Sequence, residues 1–138
     1  MTDLINTWQA EWLALHQDME RSETRALVIK LFAVAVLLAG LIVNLPFCLL
    51  LGVLAILWLQ DGIFKTFASR SEQRLLILEK AIQEQNVQVA PMGFYSNWQA
   101  SRPGALSLVG QYIKHALRPT VAYPHILLIA LLCLVKFI

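Results

Sequence analysis

The chain has 138 residues, of which 58% are apolar and only 14% are charged, and its formal net charge is +2. Soluble domains are about 45–50% apolar and about 25% charged, so this composition argues against a soluble protein. We predict a single-domain, all-α integral membrane protein, and we take its segments in chain order.

Residues 1–25 are predicted to form a cytoplasmic or interfacial amphipathic helix, because apolar side chains recur at three- and four-residue steps. The stripe consists of Leu4, Trp8, Trp12, Leu15 and Met19. Tryptophan is enriched at membrane–water interfaces, so Trp8 and Trp12 are candidate membrane-interface residues. Packing of the same stripe against another helix of this chain is an equally good interpretation.

Residues 26–60 are predicted to form a two-span transmembrane hairpin. No charged residue occurs from Leu31 to Gln60. A straight helix of that length would extend about 45 Å, whereas a bilayer core is about 30 Å thick. The motif "NLP" at 44–46 favours a tight turn in the middle. A single kinked span is the alternative.

Lys30 and Asp61 lie at the two ends of this hairpin. Counting from the turn at about 1.5 Å per residue puts both about 21–23 Å away, at one level near the cytoplasmic face. The two side chains are therefore close enough to form an ion pair. We slightly favour the alternative in which Lys30 extends to the headgroups and Asp61 is solvated, because both positions are interfacial.

Residues 61–86 are predicted to form a cytoplasmic helix with an apolar stripe. Such a stripe is usually core, here against residues 1–25, but it is also long enough to be an oligomer seam. The candidate partner or oligomer interface residues are Phe64, Phe67, Leu75, Leu78 and Ile82.

Residues 87–118 combine an aromatic loop with a short basic juxtamembrane helix, and residues 119–138 are predicted to be a third transmembrane helix. No acidic residue occurs from position 85 to the end. This acid-free segment favours contact with anionic headgroups, so Lys114 and Arg118 are further candidate membrane-interface residues.

The basic residues predict the topology. A hairpin places residues 1–25 and 61–118 on the same side, and that side holds nine of the eleven Lys and Arg residues. The positive-inside rule puts this side, with the N-terminus, in the cytoplasm. We therefore predict a multi-pass membrane protein with a cytoplasmic N-terminus.

Motifs that carry chemistry are not found in this sequence. The histidines His16, His115 and His125 lack metal-ligand spacing, and no phosphate-binding or nucleophile motif occurs. We predict that the protein is not an enzyme, with no catalytic residue, cofactor or metal, and that it does not bind nucleic acid.

The layout of residues 1–86 resembles the small bacterial two-span membrane effectors of the SLATT type. Trp58, Asp61 and Phe64, followed by Arg70, Glu72 and Arg74, resemble a membrane-exit pattern of small bacterial membrane proteins, although Arg70 stands where an acid is expected. The third span also departs from a two-span plan. The resemblance implies a location in the bacterial inner (cytoplasmic) membrane. It also implies an effector that oligomerises and perturbs the bilayer.

Two functions follow from these observations. The first is an oligomerising membrane effector that uses the stripe of residues 61–86 for assembly. The alternative is an accessory subunit that anchors or assembles a larger membrane complex. Both require a partner, either a second copy or another membrane protein, and the exposure of the stripe distinguishes them.

Overall fold

The computed structural model describes residues 2–86 and 88–137, and this part of the chain is all-helical. Its helices are α1 (Thr2–Ile42), α2 (Phe47–Glu84), α3 (Phe94–Ala100), α4 (Ala105–Ala116) and α5 (Pro119–Phe137). Three of them, α1, α2 and α5, are long and apolar enough to cross a membrane.

The turn between α1 and α2 reverses the chain. Asn44 adopts a left-handed conformation with φ 57°, and the Leu45 N–H donates to the Gly40 carbonyl over 2.9 Å. This is the Schellman pattern that ends a helix at a left-handed residue. Pro46 follows and cannot continue the helix. The segment is therefore two antiparallel helices and not one kinked span.

The predicted segment boundaries at 25/26 and 60/61 fall inside continuous helices. α1 passes from a charged half into a mainly apolar half without a break, and α2 passes from an apolar half into a charged half in the same way. The aromatic loop predicted within residues 87–118 contains the short helix α3, which the loop-forming residues around it concealed. The apolar and polar halves of the molecule are therefore joined by helical backbone.

The core is divided into two clusters. The cluster between α1, α2 and α5 consists of Ala33, Leu37, Leu50, Leu54 and Leu132. Gly40 lets α1 and α2 approach there, because a Cβ on it would overlap the Leu50 side chain. The second cluster, near the other end of α1 and α2, consists of Trp8, Leu78 and Ala81. Polar residues lie between the two.

The last helices pack back onto α2. Gly62 admits α4, because a Cβ built on Gly62 would lie 2.7 Å from the Ala116 Cβ. α5 then runs beside α1 and α2, and the rings of Phe47 and Phe137 meet edge to face with centroids 5.8 Å apart. The end of α5 therefore lies next to the α1–α2 turn.

Candidate functional site

Asp61 is the centre of a buried polar junction between α1, α2 and α5. Its side chain is 1% exposed, and its Oδ2 lies 3.7 Å from Lys30 Nζ and 3.3 Å from His125 Nε2. A buried carboxylate requires a cation or hydrogen-bond donors, and Lys30 and His125 supply both. Asp61 is thus not solvated, contrary to the interpretation that we slightly favoured from the sequence.

Pro124 leaves a backbone carbonyl free to become the second hydrogen-bond or ion-pair partner of Lys30. A proline has no N–H, so the carbonyl four residues earlier, that of Thr120, loses its helical hydrogen bond. Lys30 Nζ donates to the Thr120 carbonyl over 3.3 Å. Lys30 therefore links α1 to both α2 and α5 instead of extending to the headgroups. A cavity of about 320 Å³ borders Lys30, Asp61 and Thr120.

A second polar layer joins α2 to α4. Trp58 Nε1–H donates over 2.8 Å to the Ala116 carbonyl, which lies at the end of α4 and has no partner within that helix. The Thr66 hydroxyl donates to the Gly62 carbonyl over 2.9 Å and lies 2.8 Å from His115 Nδ1. Burial, reinforced by the nearby cations Arg118 and Lys114, lowers the pKa of His115.

A third polar network ties the charged halves of α1 and α2 to the loop after α2. Arg74 Nε donates to Glu11 Oε1 over 2.8 Å, and Arg74 Nη2 donates to Glu11 Oε2 over 3.2 Å. Arg74 Nη2 also donates to the Ala90 carbonyl over 2.8 Å, and the Met92 N–H donates to Glu11 Oε2 over 2.7 Å. Sequence reasoning missed this pair, because Arg74 is equally plausible on a solvated face.

The candidate interface residues of α2 do not form one open surface. Leu75 and Leu78 are buried, and Leu78 packs against Trp8 of α1 within the same chain. Phe64 and Ile82 are half-buried, and Phe67 is exposed. The stripe is therefore mainly intramolecular core, and Leu75 and Leu78 are not exposed to a second copy of the chain in this structure.

The candidate membrane-interface residues divide in the same way. Trp8 is fully buried, and its Nε1–H donates to the Val89 carbonyl over 3.1 Å, so it is not available to headgroups. Trp12 is half-buried, and its Nε1–H donates to Glu79 Oε1 over 3.1 Å. Lys114 and Arg118 are exposed on α4 and just after it.

A cavity of about 310 Å³ lies between α1, α2 and α3, on the charged side of the polar junction. The Arg70 guanidinium carbon lies 5.1 Å from the ring centroids of both Phe67 and Trp98. Arg70 Nη2 is buried and has no hydrogen-bond partner among residues 2–86 and 88–137. Arg25 and Asp18 also line the cavity. We call it the Arg70 cavity.

The chemistry of these sites is that of cations, buried hydrogen bonds and aromatic rings. Among the described residues, no three His, Cys, Asp or Glu side chains are grouped to hold a metal ion. Thr66 and His115 form a hydroxyl–imidazole pair, but Thr66 is 1% exposed and its hydroxyl is committed to α2. No protein-family model, curated protein or solved structure matches the chain.

Proposed function

We propose that the chain is a non-enzymatic membrane protein that anchors a partner protein at the membrane. Its three long apolar helices support the membrane part of this proposal. Nine of its eleven Lys and Arg residues lie in 1–25 and 61–118, which supports a cytoplasmic location for that side and for the N-terminus. The bacterial inner membrane is what the layout resemblance implies.

The exposed apolar face of α4 carries the proposal. Leu106, Val109, Ile113 and Leu117 are all at least half exposed, and Leu106 is 90% exposed. The opposite side of α4, with His115 and Ala116, is buried against α2. Contiguous exposed apolar side chains on a helix that is too short to span a bilayer typically mark an interaction surface.

The charges beside this face indicate the partner's chemistry. Lys114 and Arg118 are exposed on the same segment, and no acidic residue follows position 85. A helix with an apolar stripe and an acidic border would fit this surface, since complementary charge steers association and fixes register. The burial of Leu75 and Leu78 supports α4 over the α2 stripe as the docking surface.

An oligomerising effector that perturbs the bilayer is the second candidate function. This function is favoured by Phe67, which lies on the part of α2 after Asp61. Phe67 is 48% exposed, so it is the one residue of the predicted seam that is accessible to another copy to this extent. For this function, the partner is another copy of this chain. The layout resemblance implies the bilayer perturbation.

Photo-crosslinking in native membranes tests the two functions. We would place p-benzoylphenylalanine at Val109 and, as a matched control, at Leu13, which is 52% exposed on α1. We expect a single adduct with one other protein from Val109, its yield reduced by Leu106→Ser, and no such adduct from Leu13. An adduct of twice the chain mass supports the oligomeric effector, and lipid adducts alone would overturn both.

Thiol labelling of intact spheroplasts tests the topology. In a background without Cys48 and Cys133, we would compare Asn44→Cys in the α1–α2 turn with Gln83→Cys near the end of α2. A membrane-impermeant maleimide should label Asn44→Cys and leave Gln83→Cys unlabelled until the membrane is opened. The reverse pattern would mean that the N-terminus lies outside.

A further inference from the structure

We propose that the Arg70 cavity binds a phosphate group, and that its source is the headgroup of an anionic phospholipid. This site is independent of the partner surface on α4. It lies between three helices of one chain, and its volume of about 310 Å³ accommodates a phosphate with part of the attached glycerol.

The unpartnered guanidinium nitrogen is the first reason. Arg70 Nη2 is buried without an acceptor among the described residues, although a buried donor on a charged group strongly favours being hydrogen-bonded. Phe67 and Trp98 hold the guanidinium between their rings, with both centroids 5.1 Å from its central carbon. The charge is therefore fixed in place and lacks an anion.

The local charge balance is the second reason. Arg25 lines the same cavity. The Arg102 guanidinium carbon lies 5.2 Å from the centroid of the Trp98 ring, which also contacts Arg70. Asp18 also lines the cavity and opposes an anion, but it forms no ion pair with Arg70 or Arg25 in the structure. The cavity keeps an excess of positive charge, and arginine is well suited to phosphate because its N–H groups match two oxygens.

The depth of the cavity identifies the source of the phosphate. Arg70 lies 23 residues after Phe47, the first residue of α2, which is about 34 Å of helix. The hydrocarbon core is about 30 Å thick, and the headgroup layer follows it within about 5–8 Å. With the α1–α2 turn at the opposite surface, a core of that thickness ends at Phe67. The buried Lys30–Asp61 junction then lies just inside the core, and Arg70 lies among the phosphates. The aromatic walls then face the glycerol and the upper acyl chain.

Native mass spectrometry of the full chain tests this inference. The protein would be released from nanodiscs of phosphatidylglycerol and phosphatidylcholine in equal amounts. We expect one retained phosphatidylglycerol per chain, with little phosphatidylcholine. Arg70→Gln should reduce retention by about tenfold, Arg70→Lys should reduce it less, and Arg21→Gln, an exposed arginine outside the cavity, should not change it.

A second measurement separates the lipid from free phosphate. Inorganic phosphate would be titrated into the detergent-solubilised protein while tryptophan fluorescence, which includes Trp98, is recorded. One outcome is that the wild type binds phosphate saturably, that Arg70→Gln removes this binding, and that the wild type shows no preference between the two lipids. That result would support a phosphate site and overturn the lipid as its source. Equal retention of both lipids and no response to phosphate would overturn the inference. Both measurements use the wild type, so this outcome does not depend on whether a variant folds.

Discussion

Arg74 on α2 and Glu11 on α1 form a doubly hydrogen-bonded ion pair that is almost completely buried, with the shorter nitrogen–oxygen distance 2.8 Å. The pair also holds the loop after α2 through Ala90 and Met92. Met92 has a left-handed backbone with φ 57°, which is uncommon for a side chain of its size, and Glu11 accepts its N–H. The pair therefore fixes both helices and the loop.

Glu11→Ala should strongly destabilise the charged halves of α1 and α2. It leaves Arg74 buried without its carboxylate and frees the Met92 N–H, and breaking a buried pair from one side costs about 3–5 kcal/mol. Unfolding in detergent followed by tryptophan fluorescence would measure this change, because Trp8 lies nearby.

The matched control is Glu79→Ala, which removes an exposed carboxylate that accepts a hydrogen bond from Trp12 Nε1. It should change stability by less than about 1 kcal/mol. The double variant Glu11→Leu with Arg74→Met should recover much of the loss, since apolar residues of similar volume often replace a buried pair well. Equal effects of Glu11→Ala and Glu79→Ala would contradict this role.

Gly62→Ala should separate α4 from α2. The new Cβ would lie 2.7 Å from the Ala116 Cβ and 3.0 Å from its Cα, so backbone must move, which costs about 1–3 kcal/mol. Gly52→Ala is the control, because among residues 2–86 and 88–137 its new Cβ meets no atom within 4 Å beyond the adjacent backbone of its own helix. Gly52→Ala should be neutral or stabilising by up to about 1 kcal/mol through helix propensity. Thermal unfolding of both variants decides, and a Gly62→Ala variant as stable as Gly52→Ala would contradict the packing.

The sequence was sufficient to predict helices, their apolar lengths and the level that Lys30 shares with Asp61, because these follow from composition and from counting along a helix. It was not sufficient to predict that His125 also contacts Asp61. That contact depends on how α5 packs beside α2, which no periodicity specifies. Pro124 did carry a usable signal, since a proline in a helix frees the carbonyl four residues earlier.

The same limit applies to the apolar stripes. Spacing shows which face of α1 carries Trp8 and which face of α2 carries Leu78, but it does not show what covers either face. The structure packs the two faces against each other, so Trp8 is not exposed to headgroups and Leu78 is not exposed to a second copy of the chain. The α4 stripe, of the same kind, stays uncovered.

Asp61→Asn should destabilise the polar junction by about 1–3 kcal/mol, because Lys30 keeps its charge and loses the carboxylate 3.7 Å away. Removing that cation as well, in Asp61→Asn with Lys30→Met, should cost less than the sum of the two single changes. Contacting residues typically show a coupling of about 0.5–3 kcal/mol. Lys65→Met is the control, since Lys65 borders the same cavity but forms no ion pair with Asp61 in the structure. Additive effects of Asp61→Asn and Lys30→Met would refute the pairing.

Acidification should weaken the packing of α4 against α2 through His115. Burial first, and then the cations Arg118, Lys114, Lys65 and Arg70, lower the pKa of His115 below its ordinary value of 6.5. The unfolded chain therefore takes up this proton at a higher pH than the folded chain does. The contribution of His115 to stability is fully present above pH 6.5 and is lost as the pH falls through the lowered value.

Thermal unfolding of the detergent-solubilised protein at pH 7.5, 6.5 and 5.5 measures this dependence. We expect Tm to fall below pH 6.5 in the wild type and to fall less in His115→Gln, which does not titrate but still presents a polar group to Thr66. His16→Gln, which removes a histidine on α1, is the matched control. If His115→Gln and the wild type lose stability in parallel, the acid sensitivity lies elsewhere, and the lowered pKa of His115 has no part in it.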